Sequence, residues 1–198
     1  MIIGVTGNIA SGKSTIVNYI RETYHYPVID ADLVARKVVE PGEKALNQLV
    51  QTFGRVILNK DGALNRQHLG QIVFSNQEER EKLNRIVHPA VREQMIKEKE
   101  CLLNSGHDII VMDIPLLFEN NLQYLVDKTV LVYTNEKIQL IRLMKRNGFT
   151  EQEAKSRMNA QLSPQKKKEL ADAIIDNSNT IDDSKKQVDV LFRKWELI

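Results

Sequence analysis

Gly7-Asn8-Ile9-Ala10-Ser11-Gly12-Lys13-Ser14 decides the reading of this chain. The stretch fits G-x-x-x-x-G-K-[ST], a loop whose backbone cradles phosphate groups. Its context fits as well. Residues 2–6, Ile-Ile-Gly-Val-Thr, read as a short buried strand, and Thr15-Ile16-Val17-Asn18-Tyr19-Ile20 reads as the start of a helix. Glycine at 7 and 12 lets the backbone turn tightly. The N–H groups of residues 8 to 14 are then expected to face phosphate oxygens, backed by the positive end of the helix dipole. Lys13 supplies a point charge for the outer phosphates, and the Ser14 hydroxyl is a candidate magnesium ligand. Thr15 is either a further phosphate contact or a polar residue of the first helical turn.

Four more apolar runs, at 27–30, 109–113, 129–133 and 173–175, repeat the character of the first. They are rich in Val and Ile and lack clean alternation, as strands covered on both faces do. Helical patterns lie between them. The chain therefore reads as α/β, a five-stranded parallel doubly wound sheet. The spacing is uneven. Almost eighty residues separate the second and third runs, far more than a crossover needs. Their patterns are helical at 33–39, 44–53, 66–74 and 78–103, the last expected to break or kink at Pro89. Pro41-Gly42 and Asp61-Gly62 punctuate them. We read 33–106 as a helical insertion for a second substrate, and 1–32, 107–138 and 170–198 as the core.

A second irregular stretch, 139–169, has the makings of a short helical lid. A helix at 139–146 carries Arg142 and Arg146 four residues apart on one face. Gly148 suits the position past its end. Thr150-Glu151-Gln152-Glu153 opens the next helix as a capping box. That helix carries Arg157 and leads to Gln161, and ends before Ser163-Pro164. Lys166-Lys167-Lys168 reads as a solvated helix face. Val188, Leu191, Phe192 and Trp195, in a last helix at 182–197, read as core packing.

Composition narrows the class. The chain has 198 residues, 42% hydrophobic and 27% charged, with a net charge of +2. That charge is too small to argue for nucleic acid. A lone cysteine, Cys101, excludes an intramolecular disulfide framework and suits a reducing compartment. No apolar run is long enough to span a membrane, and the N-terminus enters a strand with no signal-peptide pattern. The expectation is a cytoplasmic protein. His25, His68 and His107 show no metal-ligand spacing with Cys101 or one another.

Two acids follow the second strand in Val28-Ile29-Asp30-Ala31-Asp32. Ligands in such sheets bind beyond the carboxyl ends of the strands. Asp32 is thus a candidate to take the proton of an acceptor hydroxyl, or else the N-cap of the helix from Leu33. Asp30 reads as structural or an indirect metal ligand. Asp113 ends the third strand and resembles the second magnesium-holding element of phosphate-loop proteins. Pro115-Leu116-Leu117-Phe118-Glu119 then either lines an acceptor pocket or packs internally, with Glu119 as a helix-end charge. Arg142, Arg146 and Arg157 are the cations best placed to meet charge that develops during phosphoryl transfer.

Together these motifs resemble the dephospho-coenzyme A kinase family. The likeness runs along most of the chain. It includes the loop ending at Thr15, Asp30-Ala31-Asp32 with Ala35-Arg36, Glu40-Pro41-Gly42 and Asp61-Gly62-Ala63-Leu64-Asn65-Arg66. It continues through Ile86-Val87-His88-Pro89, Asp113 to Glu119, Arg157 with Gln161, Ala171-Asp172 and Asn177. The resemblance implies a P-loop kinase that uses ATP and Mg²⁺ to phosphorylate the ribose 3′-hydroxyl of dephospho-coenzyme A, the last step of coenzyme A synthesis. It implies that Gly7, Ala10, Ser11, Gly12, Lys13, Ser14 and Thr15 hold the ATP phosphates and that Asp32 is the general base. Arg36, His88, Leu117 and Glu119 fall on the acceptor side. Arg142 and Arg146 belong to the lid that closes over ATP, and Asn177 lies near the adenine. The partners implied are small molecules, with no nucleic acid and no membrane.

The loop departs from the family at Asn8 and Ala10, where glycine is common. Alanine disfavours positive φ, so Ala10 costs the loop some backbone freedom, and the expectation is that position 10 is not left-handed. Asn65 stands where an acid is common. Three rivals differ in class. A GTPase lacks its guanine element, since Asn59-Lys60-Asp61 is one residue short and lies in a turn. Another small-molecule kinase, for a nucleoside or nucleoside monophosphate, is opposed only by the acceptor-side motifs. A non-catalytic nucleotide module leaves Asp32 and the lid arginines without a purpose.

Overall fold

The computed structural model describes residues 1–74 and 76–198. Five parallel strands form one sheet in the order β2-β3-β1-β4-β5. They are β1 (Ile2–Gly7), β2 (Val28–Asp30), β3 (Ile110–Asp113), β4 (Lys128–Tyr133) and β5 (Ala173–Asp176). β1 lies between β3, with Ile3 opposite Val111, and β4, with Val5 opposite Val130. Every residue of β1 and β3 is buried, which is why both read as unbroken apolar runs.

The chain divides into two compact units. The first, Met1–Ile29 with Leu102–Ile198, holds most of the sheet. Its helices are α1 (Lys13–Tyr24), α6 (Glu136–Asn147), α7 (Glu151–Asn159), α8 (Pro164–Leu170) and α9 (Ile181–Lys194). Ile16, Val17 and Ile20 of α1 join Val188 and Phe192 of α9 over Ile3, Val5, Val111, Val130, Val132 and Ile175. Spacings of 3 and 4 put each set on one helical face. α6 ends at Gly148, in the left-handed conformation at φ 69°. α7 opens with the Thr150–Glu153 capping box. Both termini follow the sequence signals.

The second unit, Asp30–Cys101, is helical. It comprises α2 (Ala31–Lys37), α3 (Lys44–Phe53), α4 (Arg66–Phe74) and most of α5 (Gln77–Asn104). Val34, Val38, Val39, Ala45, Leu46, Leu49, Ile57, Leu69 and Met95 are buried apolar residues of this unit. Asn59-Lys60-Asp61 lies in a tight turn, closed by an Asn59 N–H bond to the Ala63 carbonyl at 2.8 Å and the Leu58–Leu64 bridge. It is a structural corner.

Two expectations need correction. α5 is not broken at Pro89; it is one 28-residue helix with the proline inside. Proline removes one i→i−4 bond, and the long ladder on either side tolerates that loss. The Lys166-Lys167-Lys168 run is not a solvated face. The Lys167 side chain is fully buried, 2.8 Å from Glu119 Oε1, and the Lys168 ammonium sits 3.4 Å from the Tyr133 ring centroid. Consecutive helical residues are about 100° apart, so three in a row do not share one solvent face.

Candidate active site

β1 ends at Gly7 and α1 begins at Lys13, so residues 8–12 make the whole connection. The turn starts with Ser11 N–H bonding the Asn8 carbonyl at 3.0 Å. Gly12 caps α1 at φ 90° and ψ 18°, with no side-chain capping bond. The opening amides of an α-helix have no intrahelical partner, so the Lys13 and Ser14 N–H groups stay open to an anion. A side chain at Gly12 would meet the Asn177 amide, and one at Gly7 would lie 2.5 Å from Ser11 Oγ and 2.7 Å from the Val132 carbonyl. Only glycine allows these close approaches.

Ala10 is left-handed after all, at φ 61°. For a residue with a Cβ that conformation costs about 1–2 kcal/mol. The surroundings enforce it. Ile9 N–H donates to Gln161 Oε1 at 2.7 Å, and Gln139 Nε2 donates to the Ile9 carbonyl at 2.8 Å. Asn8 Nδ2 donates to the Leu162 carbonyl at 3.0 Å. The loop apex is thus held from α6 and from the turn between α7 and α8. It also follows that not all N–H groups of residues 8 to 14 face a ligand, because those of Ile9 and Ser11 are used within the protein.

Lys13 Nζ forms an ion pair with Asp113 Oδ1, and the two side chains are 14% and 7% exposed. β1 and β3 are neighbours in the sheet, so their carboxyl ends bring the lysine and the acid together. Ser14 is exposed in the first turn of α1, as is Thr15. A hydroxyl and a carboxylate are the hard oxygen donors that suit Mg²⁺, which keeps waters and phosphates in most of its positions. Among the described residues no cluster of three or more His, Cys, Asp or Glu forms a protein cage for a metal.

The three lid arginines separate. Arg142 Nη1 donates to Thr134 Oγ1 at 3.4 Å and lies 3.8 Å from the Cβ position of Gly12. Arg146 bonds its neighbour Asn147 at 2.9 Å and is exposed. Arg157 is exposed, 5.6 Å from the Phe149 centroid. Only Arg142 reaches the loop.

Asn177 is 4% exposed. Its Nδ2 donates to the Ser11 carbonyl at 2.8 Å, and its Oδ1 accepts from Ser184 Oγ at 2.8 Å. The side chain braces the phosphate loop. Leu117 is a second correction. It is fully buried, and a Cβ on Gly4 would come within 2.7 Å of its Cδ1; it is a core side chain with no face for a ligand. The neighbouring Leu116 is exposed. Glu119 is partly buried, its side chain 19% exposed. Its Oε1 accepts from Leu162 N–H at 3.1 Å and pairs with Lys167.

Asp32, Arg36 and His88 belong to the helical unit. Asp30 is the N-cap of α2, its Oδ1 accepting from Asp32 N–H at 2.8 Å and Leu33 N–H at 3.1 Å. The capping alternative for Asp32 therefore falls to Asp30. Asp32 is exposed in the first helical turn, and its carboxylate forms no hydrogen bond or ion pair with another described residue. The Arg36 side chain is exposed, while its carbonyl accepts from Arg66 Nη2 at 3.2 Å. His88 sits in mid-α5, where burial, and then the Arg92 guanidinium, push its imidazole below the ordinary value.

Sequence reasoning missed Gln139, Thr134 and Ser184. Gln139 is 2% exposed and one turn from fully buried Leu143. An amide on the apolar face of a helix is the signal that was there to be read.

Comparison with known proteins gives a consistent result. The family described as Dephospho-CoA kinase matches residues 1–183. A dephospho-CoA kinase of Geobacillus kaustophilus is 51% identical over 198 residues, covering 100% of this chain and 98% of the relative. A crystal structure of a Thermus thermophilus protein superposes with TM-score 0.80 at 31% identity, covering 98% of this chain and 97% of the other. Dephospho-CoA kinase from Campylobacter jejuni superposes with TM-score 0.67 at 28% identity, covering 98% and 96%.

Proposed function

The chain belongs to the dephospho-CoA kinase family, and on that premise we propose that it transfers the γ-phosphoryl group of ATP to the ribose 3′-hydroxyl of dephospho-CoA. The observation that carries the reading is the phosphate loop with Lys13 held on Asp113 at the adjacent strand end, in a chain matched by the family along residues 1–183. The expected setting is cytoplasmic, with two small-molecule substrates.

In this account the Lys13 and Ser14 amides and the Lys13 ammonium bind the phosphates. Thr15 is one residue further into α1. Lys13, beside Asp113, would reach the outer phosphate oxygens, and Ser14 with Asp113 would hold Mg²⁺. The ion supplies neutralisation of phosphate charge when bound. Arg142 lies where charge builds on the transferred group, and Arg146 is one turn beyond it on the lid. Asp32 takes the proton of the acceptor hydroxyl as its oxygen bonds to the γ-phosphorus. The bond to the β-phosphate oxygen breaks with its electron pair, and ADP leaves. Arg36 and His88, on the helical unit with Asp32, are assigned to the acceptor.

The test is incubation with ATP, magnesium and a panel of acceptor alcohols that includes dephospho-CoA and nucleosides. Conversion of dephospho-CoA to a product one phosphate heavier is expected. Phosphorylation of a different acceptor alone would overturn the assignment of the substrate.

A further inference from the structure

The Glu119–Lys167 pair has no part in the mechanism above, yet the chain buries it. The Lys167 side chain is fully buried and that of Glu119 is 19% exposed. Such burial of charge is costly unless it secures something else. Glu119 Oε1 also accepts from Leu162 N–H at 3.1 Å. The Leu162 carbonyl accepts from Asn8 of the phosphate loop at 3.0 Å, and the adjacent Gln161 accepts from Ile9 N–H at 2.7 Å. Lys167 therefore fixes the carboxylate, the carboxylate fixes the backbone at 161–162, and that backbone fixes the loop apex. α8 also meets the sheet through Lys168, 3.4 Å from the Tyr133 ring centroid of β4.

We propose that Glu119 and Lys167 are positioning residues for nucleotide binding. They hold the turn at 161–162 so that residues 8–10, with Ala10 in its strained left-handed conformation, keep the phosphate-binding shape before ATP arrives. Pre-setting a strained loop lowers the ordering cost charged to the ligand. The inference rests on the nucleotide reading of the loop but moves Glu119 from the acceptor side to the ATP side.

Removing one charge alone would leave the other buried and unpaired, so the test replaces both. Glu119→Leu with Lys167→Met keeps the volume and removes the acceptor for Leu162 N–H. Glu119→Gln with Lys167→Met keeps an oxygen acceptor. ATP binding is titrated by calorimetry without acceptor substrate, beside thermal melting, and steady-state KM values are measured for both substrates. The leucine pair is expected to bind ATP about three- to tenfold more weakly, as loss of one hydrogen bond implies. Its KM for ATP should rise while that for dephospho-CoA holds. The glutamine pair should stay within about twofold of the wild type. Asn8→Ala cuts the same chain of contacts at its far end and should weaken ATP similarly, even if the leucine pair does not fold. Unchanged ATP affinity in the folded leucine pair or in Asn8→Ala overturns the proposal. So do equal losses in the two paired variants, and so does a rise confined to the KM for dephospho-CoA. Failure of the wild type itself to bind ATP would sink the nucleotide reading instead.

Discussion

Ala10 is where a single side chain works against the loop it occupies. At φ 61° it accepts about 1–2 kcal/mol of strain, while glycine there adds about 0.5–1 kcal/mol of chain entropy to the unfolded state. Ala10→Gly is therefore expected to stabilise the protein by up to about 1 kcal/mol in urea unfolding; a clear loss of stability would show that the strain is absent. Asp32 bears the sharpest chemical claim. Asp32→Asn should lower kcat by about 10²–10⁴-fold and leave ATP affinity unchanged, because it removes a proton acceptor rather than a phosphate contact. Near-normal turnover would refute the base assignment. Lys13→Ala is expected to abolish transfer, with loss of nucleotide affinity read by the same titration. The residue types of the loop were legible because phosphate imposes a spacing on glycine, lysine and serine. The braces were not, because Asn177 and Gln139 reach the loop from 166 and 130 residues away and Glu119 reaches Leu162 from 43 residues away, and no local pattern records such pairings.

The helices and strands were legible where burial is two-sided or one face is apolar, as in β1 and α9. They misled where a short helix packs closely. In α8 the backbone turns Lys167 inward while Lys166 stays exposed, and three identical letters cannot show which of them faces the core. α5 carries its own prediction. His88 has an ordinary value of 6.5, lowered by burial and by Arg92. The unfolded chain then binds more protons than the folded one below pH 6.5. The stability that His88 contributes is complete above that value and is lost as pH falls from 6.5 through the lowered folded value. Urea midpoints at pH 7.5 and 5 should fall further in the wild type than in His88→Gln. An equal fall in both would mean that His88 titrates as in the unfolded chain.

At the scale of the molecule, the long gap between the second and third strand runs holds α2 to α5. The chain divides after Ile29 and again after Cys101. Strand order follows from parallel pairing, which leaves no mark within any one strand. The acceptor is named by kinship along the whole chain, since the loop by itself specifies only a nucleotide. The decisive measurement is the site of phosphorylation on the product made from ATP, magnesium and dephospho-CoA, read by phosphorus and proton NMR. The account predicts one new phosphate ester, on the ribose 3′-oxygen. An ester at any other hydroxyl, or no transfer to dephospho-CoA by folded, ATP-binding protein, would contradict it.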